Sequence, residues 1–354
     1  MTIPPGSTIG IIGGGQLGRM LSIAAAQLGY DCHILDPHEA PAAARVAAAF
    51  TRARFDDVDA LNRLADACDI VTYEFENLSA EPLRAIEDKL RPGVRSLAIG
   101  QDRALEKRFV EECGASPAPW RQIDSAADIV AALETLGAPV LIKTRRMGYD
   151  GKGQSWVTSP DEAEQAWAKI KGAPAVAEAK IDFLAEFSVI IARGADGETR
   201  AFPVPRNTHR DGILRHSEVP AGAAVEAQAA EGCAVAARIV ERLGHVGVLT
   251  VELFATANGP LVNEFAPRVH NSGHWTIEGA ETSQFEQHIR AICGLPLGST
   301  ALTGTGATMD NLIGNDIAEW PALVAEPGTH VHLYGKGEAR PGRKVGHVTR
   351  VIRA

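Results

Sequence analysis

Short apolar runs and amphipathic runs alternate through the first hundred residues. Residues 7–12 read STIGII, an apolar strand; residues 19–28 carry a helical pattern closed by Gly29; residues 32–35 form a second strand ending at Asp36. A helix over 60–67, a strand over 70–73 and a helix over 82–90 continue the rhythm. Such alternation predicts a parallel sheet with helices on its faces, an α/β unit.

Farther on the pattern changes. Residues 103–113 predict a charged amphipathic helix, and 120–123 and 140–143 predict strands flanking a helix over 126–136. Residues 145–154 read RRMGYDGKGQ, where three glycines among charged groups predict a polar loop. Strands follow at 174–178 and 187–192, then a helix at 233–243 behind an alanine-rich stretch over 221–230. VGVLTVELF (246–254) and PLVNEF (260–265) flank Thr256-Ala257-Asn258-Gly259, a turn signal between two strand-like runs. A helix over 282–293 ends at Gly294, and short strands and turns are predicted from His330 onward.

The hairpin carries the most informative charges. With Asn258 at the centre of the turn, Glu252 faces Glu264. Opposed Cβ atoms stand about 4.5–5.5 Å apart, and like charges there repel. Two carboxylates among Val, Leu and Phe must raise a pKa or hold a cation. Hard oxygens suit Mg²⁺, typically bound by one or two carboxylates plus nucleotide phosphates. The alternative is a hairpin with one charged, solvated face.

A chain of 354 residues allows two or three domains. Its formal charge of −9 argues against a general binder of nucleic acid or anionic membrane. Residues 336–353 nevertheless hold Lys336, Arg340, Arg343, Lys344, Arg350 and Arg353 against Glu338 alone, a candidate phosphate contact. Five scattered cysteines without a CxxC pair suit a reducing compartment and argue against a disulfide framework or a zinc site. With no signal-peptide pattern at the start and no apolar run long enough for a bilayer, a cytoplasmic protein is expected.

Gly13, Gly15 and Gly18 fit G-x-G-x-x-G between a strand and a helix, with Asp36 where a ribose-binding acid would stand. The physics says only that N–H groups at a helix start can face an anion, whether a dinucleotide, a sugar phosphate or none. An NAD-dependent oxidoreductase is the reading this loop supports by itself, and a nucleotide-binding regulator without turnover is another. Lys143 ends the strand PVLIK just before the glycine-rich loop, where a cation and a closing flap can hold nucleotide phosphates; no Walker loop is present. Glu178 and Glu186 flank a turn and can accept from an adenine amino group or ribose hydroxyls, or simply be surface charge. After Glu264 come Arg268, His270 and Asn271: a guanidinium fork, an imidazole and an amide able to orient a small oxyanion. His270 and His274 have i, i+4 spacing, but Asn271, Ser272 and Gly273 between them argue against the helix a zinc pair needs.

Taken together, Lys143 with RRMGYDGKGQ, the glutamate hairpin, NEFAPRVHNSGHWT, RPGRKVGHV and the early GGGQLGRM resemble the N5-carboxyaminoimidazole ribonucleotide synthetase family of ATP-grasp enzymes, over residues 8 to 350. The resemblance implies an α/β (in part α+β) three-domain ATP-grasp fold: a parallel-sheet pre-ATP-grasp domain over 1–104, a small lid with the glycine-rich flap over 105–180, and a C-terminal ATP-grasp domain over 181–354. It implies ATP-driven carboxylation of 5-aminoimidazole ribonucleotide with bicarbonate through carboxyphosphate, by a homodimer using Mg²⁺. By motif position it implies Arg103, Lys143, Glu178, Glu186, His209, Asn263 and Glu264 for ATP, and Glu252 and Glu264 for metal. Arg268, His270 and Asn271 fall to the bicarbonate pocket, and Glu76, Tyr149, Asp150, Lys152, Lys336 and Arg343 to the ribonucleotide. Two departures stand out: Met147 where many relatives carry glycine, and Lys152 where arginine is common.

Overall fold

The computed structural model describes residues 2–148, 153–337 and 339–353. The three early apolar runs read as strands pair as expected, and a fourth strand over 49–52, not expected from the sequence, joins their edge. Strands β1 (Thr8–Ile12), β2 (Asp31–Asp36), β3 (Ala49–Arg52) and β4 (Ile70–Tyr73) form a parallel sheet in the order β3-β2-β1-β4. Helices α1 (Gln16–Gln27), α2 (Val58–Ala67), α3 (Ala80–Leu83) and α4 (Val94–Gly100) belong to this unit. The helix expected over 82–90 is a correction: α3 stops at Leu83 and a single 3₁₀ turn follows. The backbone at Lys89 and Arg91 instead bonds Val71 of β4, so the sheet edge takes those groups from the helix.

In the next unit, α5 (Arg103–Glu112) starts at Asp102, whose carboxylate accepts from the N–H groups of Ala104 and Leu105. Strands β5 (Trp120–Ile123), β6 (Val140–Thr144), β7 (Gln154–Val157) and β8 (Ala175–Ala179) form an antiparallel sheet ordered β5-β8-β6-β7. Ile129 and Leu133 of α6 (Ala126–Leu136) and Ala163 and Ala166 of α7 (Ala163–Lys169) share a core with Ile142 and Ala177 of that sheet.

The largest sheet is built from β9 (Ala185–Arg193), β10 (Thr199–Ala201), β11 (Arg206–Arg210), β12 (Ile213–Val219), β13 (Gly247–Thr256), β14 (Gly259–Ala266), β15 (Gly306–Ile313), β16 (Thr329–Leu333) and β17 (Lys344–Ile352). Its order is β14-β13-β9-β11-β12-β15-β17-β16, with β10 beside β9. Odd-numbered residues of β9 and β13 (Phe187, Val189, Leu249, Val251) pack on α8 (Ala223–Leu243). Even-numbered Ile190 and Val248 face the cluster that holds Phe285 and Ile289 of α10 (Gln284–Ile292), which follows α9 (Thr276–Gly279); α11 (Trp320–Ala325) lies before β16. Helix α8 begins ten residues earlier than expected because the alanine-rich stretch, high in helix propensity, joins it. The tail also differs from expectation: β17 is a nine-residue strand between β15 and β16, not a short one.

Two buried histidines couple the first sheet to the third. Val248 N–H donates to His288 Nδ1 (3.1 Å), and His288 Nε2 meets Thr72 Oγ1 of β4 (2.9 Å). His245 meets Ser96 of α4 through Nδ1 (3.1 Å) and Val248 O through Nε2 (3.1 Å). Burial pushes their pKa values down, to about 3 for His288 and about 4 for His245. Both are therefore neutral when folded, while the unfolded imidazoles titrate near 6.5. Their contribution is fully present above that value and is lost as pH falls through it toward the folded values. Thermal melts should show the midpoint dropping between about pH 6 and pH 4, with a shallower drop in His288→Gln; an identical profile in that variant would remove His288 from the acid limb.

Candidate active site

The hairpin turns through Ala257 and Asn258 alone, pairing Thr256 with Gly259. Continued without interruption, that register would set Glu252 against Asn263. It would also send Glu264, two residues beyond core-facing Val262, into the apolar layer under α8. A bulge intervenes: Leu253 pairs Val262, but Glu252 pairs Glu264, leaving Asn263 as the extra residue. The expected opposition of Glu252 and Glu264 therefore holds, with both side chains on one face, through a shorter turn and a bulge rather than a turn centred on Asn258. Asn263 is pinned by two lysines: Lys143 Nζ donates to its Oδ1 (3.4 Å) and Lys107 Nζ to its backbone oxygen (3.3 Å).

The same lysines clasp Glu178, Lys107 at 2.9 Å and Lys143 at 2.7 Å, all three side chains at least nine-tenths buried. Burial alone would raise the Glu178 pKa; Lys107, Lys143 and Arg103 outweigh it and hold it down at about 2. Arg103 forms an ion pair with Glu264. Glu106, fully buried and accepting from Phe265 N–H, is pushed up by burial and by the Glu264 charge. Arg145 grips Asp102 with two bonds of 2.9 and 2.8 Å, tying the base of the glycine-rich loop to the start of α5.

Glu252 bonds His270 Nε2 at 3.0 Å and lies 4.0 Å from His209, which also meets Glu186 at 3.0 Å. A second bulge, between Thr208 and His209 of β11, accompanies that placement. Against burial, His270, His209 and Lys344 hold the Glu252 pKa well below the usual carboxylate range. Arg268 forms an ion pair with Glu76. Asn271 is turned away: its amide exchanges two bonds with Asn311 (2.9 and 2.7 Å). Arg103, Glu252, Glu264, Arg268 and His270 line one cleft, with Met147 also on its wall.

The early glycine loop is already filled. Gly15 and Gly18 donate their N–H groups to Glu74, and Gly14 donates to Asp36. A dinucleotide pyrophosphate would find its donors taken by the chain's own acids. Lys336 lies over the Tyr334 ring, 5.7 Å from its centroid, and its charge acts on Glu74. Arg343 forms a turn, its N–H bonded to Arg340 O and its oxygen accepting from Gly314. From the same basic block, Arg350 is turned onto Glu326 and Asp310. Tyr149, Asp150 and Lys152 lie outside the described residues.

Three domain families cover the chain in sequence: the ribonucleotide synthetase preATP-grasp domain over 6–101, the ATP-grasp domain over 108–285 and the phosphoribosylaminoimidazole carboxylase C-terminal domain over 307–353. The N5-carboxyaminoimidazole ribonucleotide synthase of Brucella melitensis is 50% identical over 356 residues, spanning 99% of this chain and 98% of that one. The chain belongs to the N5-carboxyaminoimidazole ribonucleotide synthase family. The Staphylococcus aureus synthetase solved with ADP superposes with a TM-score of 0.94 at 38% identity, over 100% of this chain and 95% of that one. The Aspergillus clavatus synthase solved with ADP and 5-aminoimidazole ribonucleotide gives 0.91 at 29%, over 98% and 94%.

As a member of this synthase family, the chain has the mixed α/β ATP-grasp fold, with a parallel-sheet pre-ATP-grasp unit first. Sequence reasoning missed Glu106 and Lys107 within it. The signal was present: in RALEKRFVEE both precede Phe109 and Val110 by three residues, on the face that packs inward. Met147 holds φ +62°, a left-handed conformation that glycine adopts freely and other residues at about 1 kcal/mol or more. A glycine at this position would fit that backbone without strain.

Proposed function

We infer that this chain carries out the synthase reaction. ATP phosphorylates bicarbonate, and the exocyclic amine of 5-aminoimidazole ribonucleotide takes the carboxyl group, giving N5-carboxyaminoimidazole ribonucleotide, ADP and phosphate. The enzyme is an ATP-dependent carbon–nitrogen ligase of purine biosynthesis. The observation that carries the site reading is the meeting of opposed Glu252 and Glu264 with Arg268 and His270 in one cleft.

In this reading Lys143 and Arg103 face the phosphates, and Glu178, Glu186 and His209 surround the nucleoside. Glu252, Glu264 and the Asn263 amide are hard oxygen donors, a set that fits Mg²⁺ alongside nucleotide phosphates. Bound there, magnesium supplies charge neutralisation to the triphosphate. The Arg268 fork is paired with Glu76, and bicarbonate binds where that guanidinium can share its donors between the two carboxylates. His270 donates toward the oxyanion from the Glu252 side. Asn271, through its pair with Asn311, shapes the loop that follows His270. Glu76, Lys336, Arg343 and the flap residues Tyr149, Asp150 and Lys152 form the ribonucleotide end. Closure of the flap keeps water from carboxyphosphate. The chain works as a cytoplasmic homodimer, with domains dividing near 104 and 180; among the described residues no helix is long and apolar enough to cross a membrane.

ADP release tests the assignment. It should require bicarbonate and 5-aminoimidazole ribonucleotide together. Release that answers to formate or biotin instead would move the chain to another ATP-grasp reaction.

A further inference from the structure

One face of the largest sheet carries a row of polar side chains where apolar ones would be cheaper to bury. Glu264, Glu252 and Ser188 oppose one another across β14, β13 and β9, and Asn207 opposes Ser217 across β11 and β12. Ser188, Ser217 and Ser272 are fully buried and Asn207 is 4% exposed. Groups so placed must bond one another, and they do so in a single line. Ser217 donates its hydroxyl to Asn207 Oδ1 (2.8 Å), and Asn207 Nδ2 donates to Ser188 Oγ (3.0 Å). The Ser188 hydroxyl passes its hydrogen to Ser272 Oγ (2.7 Å), which lies 2.9 Å from His270 Nδ1.

The line has a direction. Asn207 Nδ2 can only donate, and among the described residues Ser272 Oγ is the one other partner of the buried Ser188 hydroxyl, so the Ser188 hydrogen is satisfied by pointing onward to Ser272 and the Ser272 hydrogen by pointing to the imidazole. The backbone N–H of Ser272, also only a donor, faces the same Nδ1 at 3.4 Å. Two donors converge on Nδ1, so in the neutral ring the hydrogen sits on Nε2, 3.0 Å from Glu252. Gln284, itself fully buried, clamps the main chain of the same residue, accepting from His270 N (2.9 Å) and donating to His270 O (2.7 Å).

We propose that Ser217, Asn207, Ser188 and Ser272 form a one-way hydrogen-bond line that holds His270 as the Nε2–H tautomer, so that it serves the reaction as a hydrogen-bond donor and not as a base. Ser188 and Ser272 are then positioning residues acting through His270. The consequence for the reaction rests on His270 belonging to the bicarbonate pocket. The tautomer itself does not.

Nitrogen-15 NMR of the full-length protein labelled at the histidine rings reads the tautomer directly, with His270 assigned by comparison with His270→Asn. The parent should show an unprotonated Nδ1 and a protonated Nε2. Ser272→Ala should shift that pattern toward a mixture and lower kcat about ten- to a hundredfold with little change in KM for ATP. Ser272→Thr, which keeps the hydroxyl, should restore both. An Nδ1–H tautomer at His270 in the parent overturns the proposal even if neither Ser272 variant folds, and so does an unchanged ring pattern in a folded Ser272→Ala. Full turnover in His270→Asn would instead remove His270 from the pocket while leaving the tautomer result to stand or fall alone.

Discussion

Glu264→Gln is expected to lower turnover about a hundredfold or more while leaving the fold in place. Glutamine keeps the size of the side chain and its place across from Glu252. It removes one of two opposed charges, and with it the counter-charge of Arg103 and an anionic ligand of the proposed magnesium set. Relief of the Glu252–Glu264 repulsion keeps the variant folded. The loss should fall on the phosphoryl-transfer step and should change the magnesium concentration needed for half-maximal rate. A variant whose magnesium dependence matches the parent's would sever Glu264 from the metal. Glu106 offers an independent readout. Its carboxyl is held up partly by the Glu264 charge, so neutralising Glu264 should let the Glu106 pKa fall.

Glu178→Gln should produce the largest loss of stability, about 3–5 kcal/mol, because it strips the counter-charge from two buried lysines at once. Neither Lys107 nor Lys143 has water to turn to; their side chains are 1% and 8% exposed. Chemical denaturation measures the loss. Adding Lys107→Met should recover part of it, since one of the stranded ammonium groups is then gone. The parent's own acid response follows the same physics. The Glu178 pKa is depressed when folded, so its contribution is present above the ordinary carboxylate value of 4.5 and is lost as pH falls toward about 2. A Glu178→Gln protein as stable as the parent would show that the lysines are satisfied elsewhere.

Local pattern carried much of the fold. The strand over 70–73, the strand over 120–123 and the helix over 126–136 stand at the boundaries read from the chain. Each is bounded by residues that act locally, such as Ser125 capping α6. Misses came where a distant partner overrode local preference. The backbone beyond Leu83 left its helix to bond β4, and the tail lengthened into β17 because β15 and β16 offered edges on both sides. At the glycine loop, local sequence could not distinguish a dinucleotide site from one occupied from within. Glu74 reaches Gly15 and Gly18 across 59 and 56 residues of chain.

Residue types and spacing by themselves determined that two acids would lie on the two arms of one hairpin, with a lysine-ended strand, a glycine-rich loop and an Arg-x-His-Asn run nearby in the chain. Those are properties of side-chain chemistry and of strand period, which need no third element. Only the tertiary structure decided how the acids come to share a face, because a bulge is an extra residue that strand period cannot announce. Likewise, only packing selected Lys107 as the second clasp on Glu178, turned Asn271 onto Asn311, and aligned four small polar groups behind His270. Burial and hydrogen-bond direction arise between strands that lie far apart in sequence, and they exist only once the sheet has closed.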